Sequence, residues 1–129
     1  LFDSEIRGKM QMYLLKEIST LEQWRDCLAA SNNAPLFIFK HSTQCSISSL
    51  AHDAVTRYLA KAGEAAPQFV LVKVIESRSI SNTIAEELSL EHKSPQLILV
   101  KAQKAIWSAS HYGINVERIE SVVNTYATS

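Results

Sequence analysis

Leu36-Phe37-Ile38-Phe39-Lys40-His41-Ser42-Thr43-Gln44-Cys45-Ser46-Ile47-Ser48 is the stretch on which the fold turns. Its first four residues form a short continuous apolar run, the pattern of a buried strand. Beyond it, apolar residues recur at Ile47, Leu50, Ala51, Ala54, Val55, Tyr58, Leu59 and Ala62, the spacing of an amphipathic helix. Cys45 therefore falls in the first turn of that helix, where unpaired backbone N–H groups and the helix dipole favour a negative charge. Because the thiolate rather than the thiol is the nucleophile, this placement points to thiol–disulfide chemistry at a single cysteine.

Working outward, residues 12–18 alternate weakly and make a first strand. Ser19 and Thr20 then offer capping hydroxyls, with Glu22 or Gln23 placed as the capping-box partner of a helix over residues 21–30. Asn32, Asn33 and Pro35 end that helix. On the other side, Gly63 and Pro67 close the Cys45 helix, and the run Phe69-Val70-Leu71-Val72-Lys73-Val74-Ile75 reads as a strand covered on both faces. Ile80, Ile84 and Leu88 mark a third helix, and Ser94-Pro95-Gln96 leads into a strand over residues 97–101. A turn at Gln103-Lys104 and a strand over residues 105–109 complete a hairpin. Asn115 can cap a last helix carrying Val116, Ile119, Val122, Val123 and Tyr126. The order β-α-β-α-β-α-β-β-α implies an α/β fold with a mixed central sheet, helices on both faces, and an antiparallel hairpin at the edge.

The 129 residues suit one domain. Hydrophobic residues make up 47% and charged residues 20%, which is too apolar for intrinsic disorder. Lys plus Arg and Asp plus Glu balance at 13 each, so no global field draws in nucleic acid or an anionic membrane. The expected partner is a small molecule or another protein. Cys27 and Cys45 are the two cysteines, too few for a disulfide scaffold, and a reducing, cytoplasmic compartment is expected. The segment bearing Asp3, Glu5, Arg7 and Lys9 lacks the apolar core of a secretory signal, and no apolar run approaches membrane-spanning length. Residues 1–11 are set aside as an extension, leaving 12–129 as the domain.

That element order, with Cys45 opening the helix after the second strand and Ser94-Pro95 before the hairpin, resembles the thioredoxin fold. The stretch from Phe39 to Ser48 resembles more closely the monothiol bacilliredoxins, whose motif reads Thr-Cys-Pro-Ile-Ser. Ser81-Asn82, Ile84-Ala85 and Ser94-Pro95-Gln96 are similar to the same family. Two departures stand out: Gln44 separates Thr43 from Cys45, and Ser46 replaces the proline after the cysteine. The resemblance implies removal of a low-molecular-weight thiol, bacillithiol, from mixed disulfides on S-thiolated client proteins. It makes that thiol a co-substrate, with no resident cofactor. Cys45 would be the nucleophile, and Pro95 a cis-proline facing it. Thr43, Gln44, Ser46, Ser94 and Pro95 would be the substrate-binding residues, with the backbone of Ser94 pairing an extended peptide as a strand does.

Ser48 stands three residues after Cys45, where a dithiol thioredoxin carries its second cysteine. Serine cannot resolve a disulfide, so an external thiol must release any adduct on Cys45. The Ser48 hydroxyl can donate to a Cys45 thiolate, unless it is an inert helix residue. Phe39 occupies the position of a thioredoxin's buried aspartate, so proton handling must come from elsewhere. Lys40 and His41 are the nearest cationic candidates to stabilise the thiolate, and both also read as solvated loop residues. A metal site at His41 and Cys45 lacks further ligands at close spacing. His92 and Lys93 sit on the loop beside the site, and Trp24 and Trp107 read as core or sheet-face aromatics. Cys27 reads either as a half-buried small hydrophobe or as a resolving cysteine.

Two other classes fit the same residues. One is a redox-inactive thioredoxin-like module for peptide binding or stress-response interaction, which needs no acidic thiol. The other is an iron–sulfur carrier, whose monothiol sites resemble Cys-Gly-Phe-Ser, a glycine that Ser46-Ile47 lacks.

Overall fold

The computed structural model describes residues 15–127, so the proposed extension and the start of the first expected strand lie outside the described residues. The elements are β1 (Leu15–Glu17), α1 (Leu21–Ala30), β2 (Leu36–His41), α2 (Ser46–Ala62), β3 (Gln68–Lys73), α3 (Arg78–Glu87), β4 (Gln96–Lys101), β5 (Lys104–Ser110) and α4 (Val116–Val122). The strands form one sheet in the order β1-β3-β2-β4-β5. β1 and β2 run parallel to β3, whereas β4 lies antiparallel to both β2 and β5. Residues 88–95 return the chain to the end of the sheet where α3 began. β4 therefore starts there, with Gln96 opposite Lys40, and runs the other way.

Strand alternation sorts the core. Phe37 and Phe39 of β2, with Phe69 and Leu71 of β3 and Leu97 and Leu99 of β4, pack under Val55, Tyr58 and Leu59 of α2 and Ile119 of α4. Ile38, Val70, Val72, Ile98 and Val100 face the opposite way, against Trp24 of α1 and Ile80 and Ile84 of α3. Both faces are therefore covered, which is why β2 and β3 read as unbroken apolar runs. Phe37 stacks on Phe69 with ring centroids 4.5 Å apart. Trp24 is fully buried and its indole N–H donates to Glu87 Oε1 at 2.9 Å, while Trp107 meets Phe37 edge-on.

The helix ends follow local chemistry. Gln23 N–H donates to Thr20 Oγ1 at 3.1 Å and Thr20 N–H to Gln23 Oε1 at 3.1 Å, a closed capping box at α1. Gly63 ends α2 at φ +58°, in the region that favours glycine. Asn115 Oδ1 accepts from Arg118 N–H at 2.9 Å and starts α4, which widens into a π-helical turn over Val123–Ala127 and leaves Tyr126 exposed. The hairpin turn lies at Ala102 and Gln103, one residue earlier than expected, and both have positive φ. Ser31 holds it from the end of α1: Ala102 N–H donates to Ser31 O at 2.8 Å and Gln103 N–H to Ser31 Oγ at 2.9 Å.

Candidate active site

Cys45 is the N-cap residue of α2, with extended backbone at φ −113° and ψ 127°. Its carbonyl accepts the first intrahelical bond, from Ser49 N–H at 3.0 Å, but its side chain makes no capping bond. The first-turn amides of α2 are thus left without a side-chain acceptor from the cap, and the sulfur beside them is free and half-exposed. Thr43 and Gln44 are exposed in the turn that delivers Cys45, and Ser46 is exposed at the first position of the helix. Cys45 N–H closes that turn on Ser42 O at 3.4 Å.

Beneath Cys45, Ser48 is fully buried. Its Oγ accepts from Ser42 N–H at 2.9 Å and lies 2.7 Å from His41 Nδ1. The expected donation from Ser48 to the Cys45 sulfur is therefore not the arrangement found, because both close partners of this hydroxyl lie on the β2 side. His41 is a strand residue, 9% exposed, with its ring centroid 5.4 Å from Phe39 and 4.9 Å from His52. Burial pushes its basicity below the ordinary histidine value, and the neighbouring His52 pushes the same way. His52 was not singled out from sequence. Cys45, Ser48 and His52 are spaced i, i+3, i+7 along α2, one helical stripe, and that spacing was the available signal.

Lys40 corrects an expectation. It is neither a loop residue nor a neighbour of the thiol; it belongs to β2 and is completely buried. Consecutive strand residues face opposite sides, so Lys40 enters the α3 side of the sheet while His41 enters the α2 side. Its ammonium donates to Ser81 O at 2.9 Å and to His92 Nδ1 at 3.2 Å. Burial lowers its pKa to about 8. His92 is thereby bound to Lys40, and burial first, then the ammonium beside its ring, holds its own pKa below the usual value.

The Ser94–Pro95 peptide bond is cis. Continuing the β2–β4 register beyond Lys40↔Gln96 sets Pro95 across from His41 and Ser94 across from Ser42, next to the Cys45 turn. Gln96 straps this loop from below: its Nε2 donates to Glu91 O at 3.1 Å, and Lys93 N–H donates to its Oε1 at 3.4 Å. His111 N–H donates to Pro95 O at 3.1 Å. Ser94 Oγ is buried with no hydrogen-bond partner among the described residues.

Cys27 lies elsewhere. It is buried in the α1–α3 core and borders a cavity of about 190 Å³ with Lys16, Asp26 and Gln68, the last being the first residue of β3. Cys45 caps a helix on the other face, at the opposite end of the strands. Burial raises the Cys27 pKa, the reverse of what a nucleophile needs. Among the described residues no cluster of His, Cys, Asp and Glu is built to hold a metal ion, and no helix is long and apolar enough to cross a membrane.

Several solved structures share this architecture. One described as having a thioredoxin fold superposes with a TM-score of 0.76 at 24% identity, over 86% of this chain and 95% of that one. Mitochondrial thioredoxin 3 from Saccharomyces cerevisiae, in its oxidized form, gives 0.66 at 19% identity, over 89% and 98%. Thioredoxin NaTrxh from Nicotiana alata gives 0.70 at 16% identity, over 88% and 93%. At these identities the likeness establishes the thioredoxin fold. The family model for the monothiol bacilliredoxin BrxC matches residues 16–119, a span that contains Cys45, Ser48 and the Ser94–Pro95 loop. The chain belongs to the monothiol bacilliredoxin family of thiol–disulfide oxidoreductases.

Proposed function

We propose that this protein removes a low-molecular-weight thiol of the bacillithiol type from mixed disulfides on client proteins, through Cys45 alone. The observation that carries the reading is the start of α2: a half-exposed sulfur at an N-cap with no capping bond, and Ser48 where a resolving cysteine would stand. The Cys45 thiolate attacks the small-thiol sulfur of the mixed disulfide. A sulfur–sulfur bond forms between Cys45 and the small thiol as the client's bond breaks, and the client leaves as a thiolate that takes a proton from water. A second small thiol, as thiolate, then attacks the adduct, leaves with the first as a symmetric disulfide, and returns Cys45 as a thiolate. Cys27 takes no part, because it is buried on the other side of the sheet.

The amides of the α2 first turn supply the thiolate's counter-dipole. Thr43, Gln44 and Ser46 form the exposed rim that meets the small thiol, and the backbone of Ser94 pairs with the client segment. The cycle needs a reduced pool of small thiol and therefore a reducing compartment such as the cytoplasm. The direct test is to incubate the protein with a client carrying a bacillithiol mixed disulfide, supply free bacillithiol, and follow release of the client thiol. Release with this adduct and much slower release with a glutathione adduct is the expected result. Release from neither adduct would refute the reading and leave a thioredoxin-like binding module.

A further inference from the structure

We propose that Lys40 and His92 are positioning residues for the loop that presents Ser94: the buried β2 ammonium grips the His92 ring, holds residues 88–95 in place, and lets go when that ring takes up a proton. The inference rests on the proposed pairing of the Ser94 backbone with the client, and it needs no contact between these two residues and Cys45. It starts from the loop, whose own bonding does not account for its course. Ser89 opens it at φ +51°, in the left-handed region that favours glycine. Near its other end Ser94 Oγ is buried with no hydrogen-bond partner among the described residues. A segment carrying two such costs keeps a single course only where its surroundings impose it.

Two buried side chains impose it, and they are register partners on adjacent strands: Lys40 of β2 and Gln96 of β4. Gln96 takes the backbone on either side of His92, with its Nε2 donating to Glu91 O at 3.1 Å and Lys93 N–H donating to its Oε1 at 3.4 Å. Lys40 takes the residue between them. Its ammonium donates to His92 Nδ1 at 3.2 Å and to Ser81 O of α3 at 2.9 Å, so loop, strand and helix meet at one nitrogen. Residues 91, 92 and 93 are each held, and Ser94 follows directly.

A count of protons makes the grip conditional. To accept from Lys40, Nδ1 must be bare, so the proton of the neutral ring sits on Nε2. A further proton from water can add only at Nδ1, on the lone pair that Lys40 uses, and it would set an imidazolium against an ammonium across 3.2 Å. Ser81 Oγ, 3.4 Å from the same nitrogen, is neutral and cannot offset two facing charges. Burial, then Lys40 of β2, then Arg78 of α3 oppose that proton, while Glu91 and Lys93 flank the ring on the loop itself. The grip therefore opens only on the acid side of an ordinary histidine. It survives at alkaline pH, where Lys40 is neutral, because an amine keeps two N–H donors, enough for Ser81 O and Nδ1.

His92 is exposed as a residue, so it can be replaced without opening the core. His92→Ala removes the acceptor, whereas His92→Asn puts an amide oxygen where Nδ1 stood. In His92→Ala the KM for a client carrying a bacillithiol mixed disulfide should rise about tenfold, the fold-change of one hydrogen bond to a charged group, with kcat close to the parent's. His92→Asn should restore most of that loss. Hydrogen–deuterium exchange over residues 88–96 gives a readout free of any client. Near neutral pH it should be faster in His92→Ala than in the parent and His92→Asn, and the parent should show an acid step, beyond the intrinsic effect of pH, that His92→Asn lacks. An unchanged KM in His92→Ala, a loss confined to kcat, an Asn variant no better than the Ala variant, or exchange that is the same in all three proteins would each overturn the inference. Exchange in the expected order, in a protein that releases no client, would instead count against the enzyme reading alone.

Discussion

Helices α1 and α2 begin with nearly the same backbone and opposite chemistry. Thr20, the N-cap of α1, has φ −120° and ψ 154°; Cys45, the N-cap of α2, has φ −113° and ψ 127°. At α1 a hydroxyl and the Gln23 amide close both sides of a capping box, whereas at α2 the cap side chain makes no bond at all. A filled cap contributes about 1 kcal/mol to stability. An open one forgoes that and leaves oriented N–H groups for an anion, which in this chain is the sulfur of Cys45 once ionised. The contrast teaches that one local geometry serves stability where oxygen fills it and chemistry where a thiol is left in it.

The largest effect that could break this contrast is on activity. Cys45→Ala should reduce client release to background while leaving urea unfolding nearly unchanged, because no capping bond is lost. Cys27→Ala should retain exchange at close to the parent rate. Loss of exchange in the second variant, or its survival in the first, would reverse the roles of the two thiols.

The next effect concerns the buried charge on the other face of the sheet, where no thiolate answers it. The pKa of Lys40 falls from its ordinary 10.5 to about 8. Below about pH 8 both the folded and the unfolded chain carry this proton, so the burial penalty is fully present. Between about 8 and 10.5 the unfolded chain binds more protons, so this residue makes the fold more stable as pH rises. The gain should be about 1–3 kcal/mol, and Lys40→Met should flatten it in urea titrations across that range. An unchanged slope in the variant would mean that Lys40 reaches water.

Smaller still is the cost of emptying the filled cap: Thr20→Ala should destabilise by about 1 kcal/mol in the same assay. The smallest effect, and the most telling in sign, is filling the open one. Cys45→Asp should raise stability by about 0.5 kcal/mol, through both cap and dipole, while abolishing exchange. A loss of stability in that variant would show that the first-turn amides of α2 are already satisfied.

Much of this was readable from the chain. β2 and β3 are covered on both faces, so their apolar runs are continuous, and Thr20 and Gln23 marked the start of α1 at the residue where it occurs. Cys45 at the head of α2 and Ser94–Pro95 before β4 were legible because a helix start and an X-Pro junction each leave a local mark. Lys40 and His41 were not, because two polar residues at the end of an apolar run look like a loop. Their burial rests on hydrogen bonds from Lys40 to Ser81 and His92, distant in sequence, and between His41 and Ser48 in the helix that follows. The hairpin turn escaped for a related reason: Ala102 and Gln103 are not left-handed formers by propensity, and the bonds from Ser31 hold them there. The direction of β4 is set by where residues 88–95 end, which element order does not encode.

The most direct test of Cys45 as a lone exchanging thiol is to mix the protein with an S-thiolated client in the absence of free small thiol, quench with acid, and map the adduct by peptide mass spectrometry. The result expected is one small thiol on Cys45, none on Cys27, and a client released as free thiol. A client that keeps its adduct, or a small thiol found on Cys27, would contradict it.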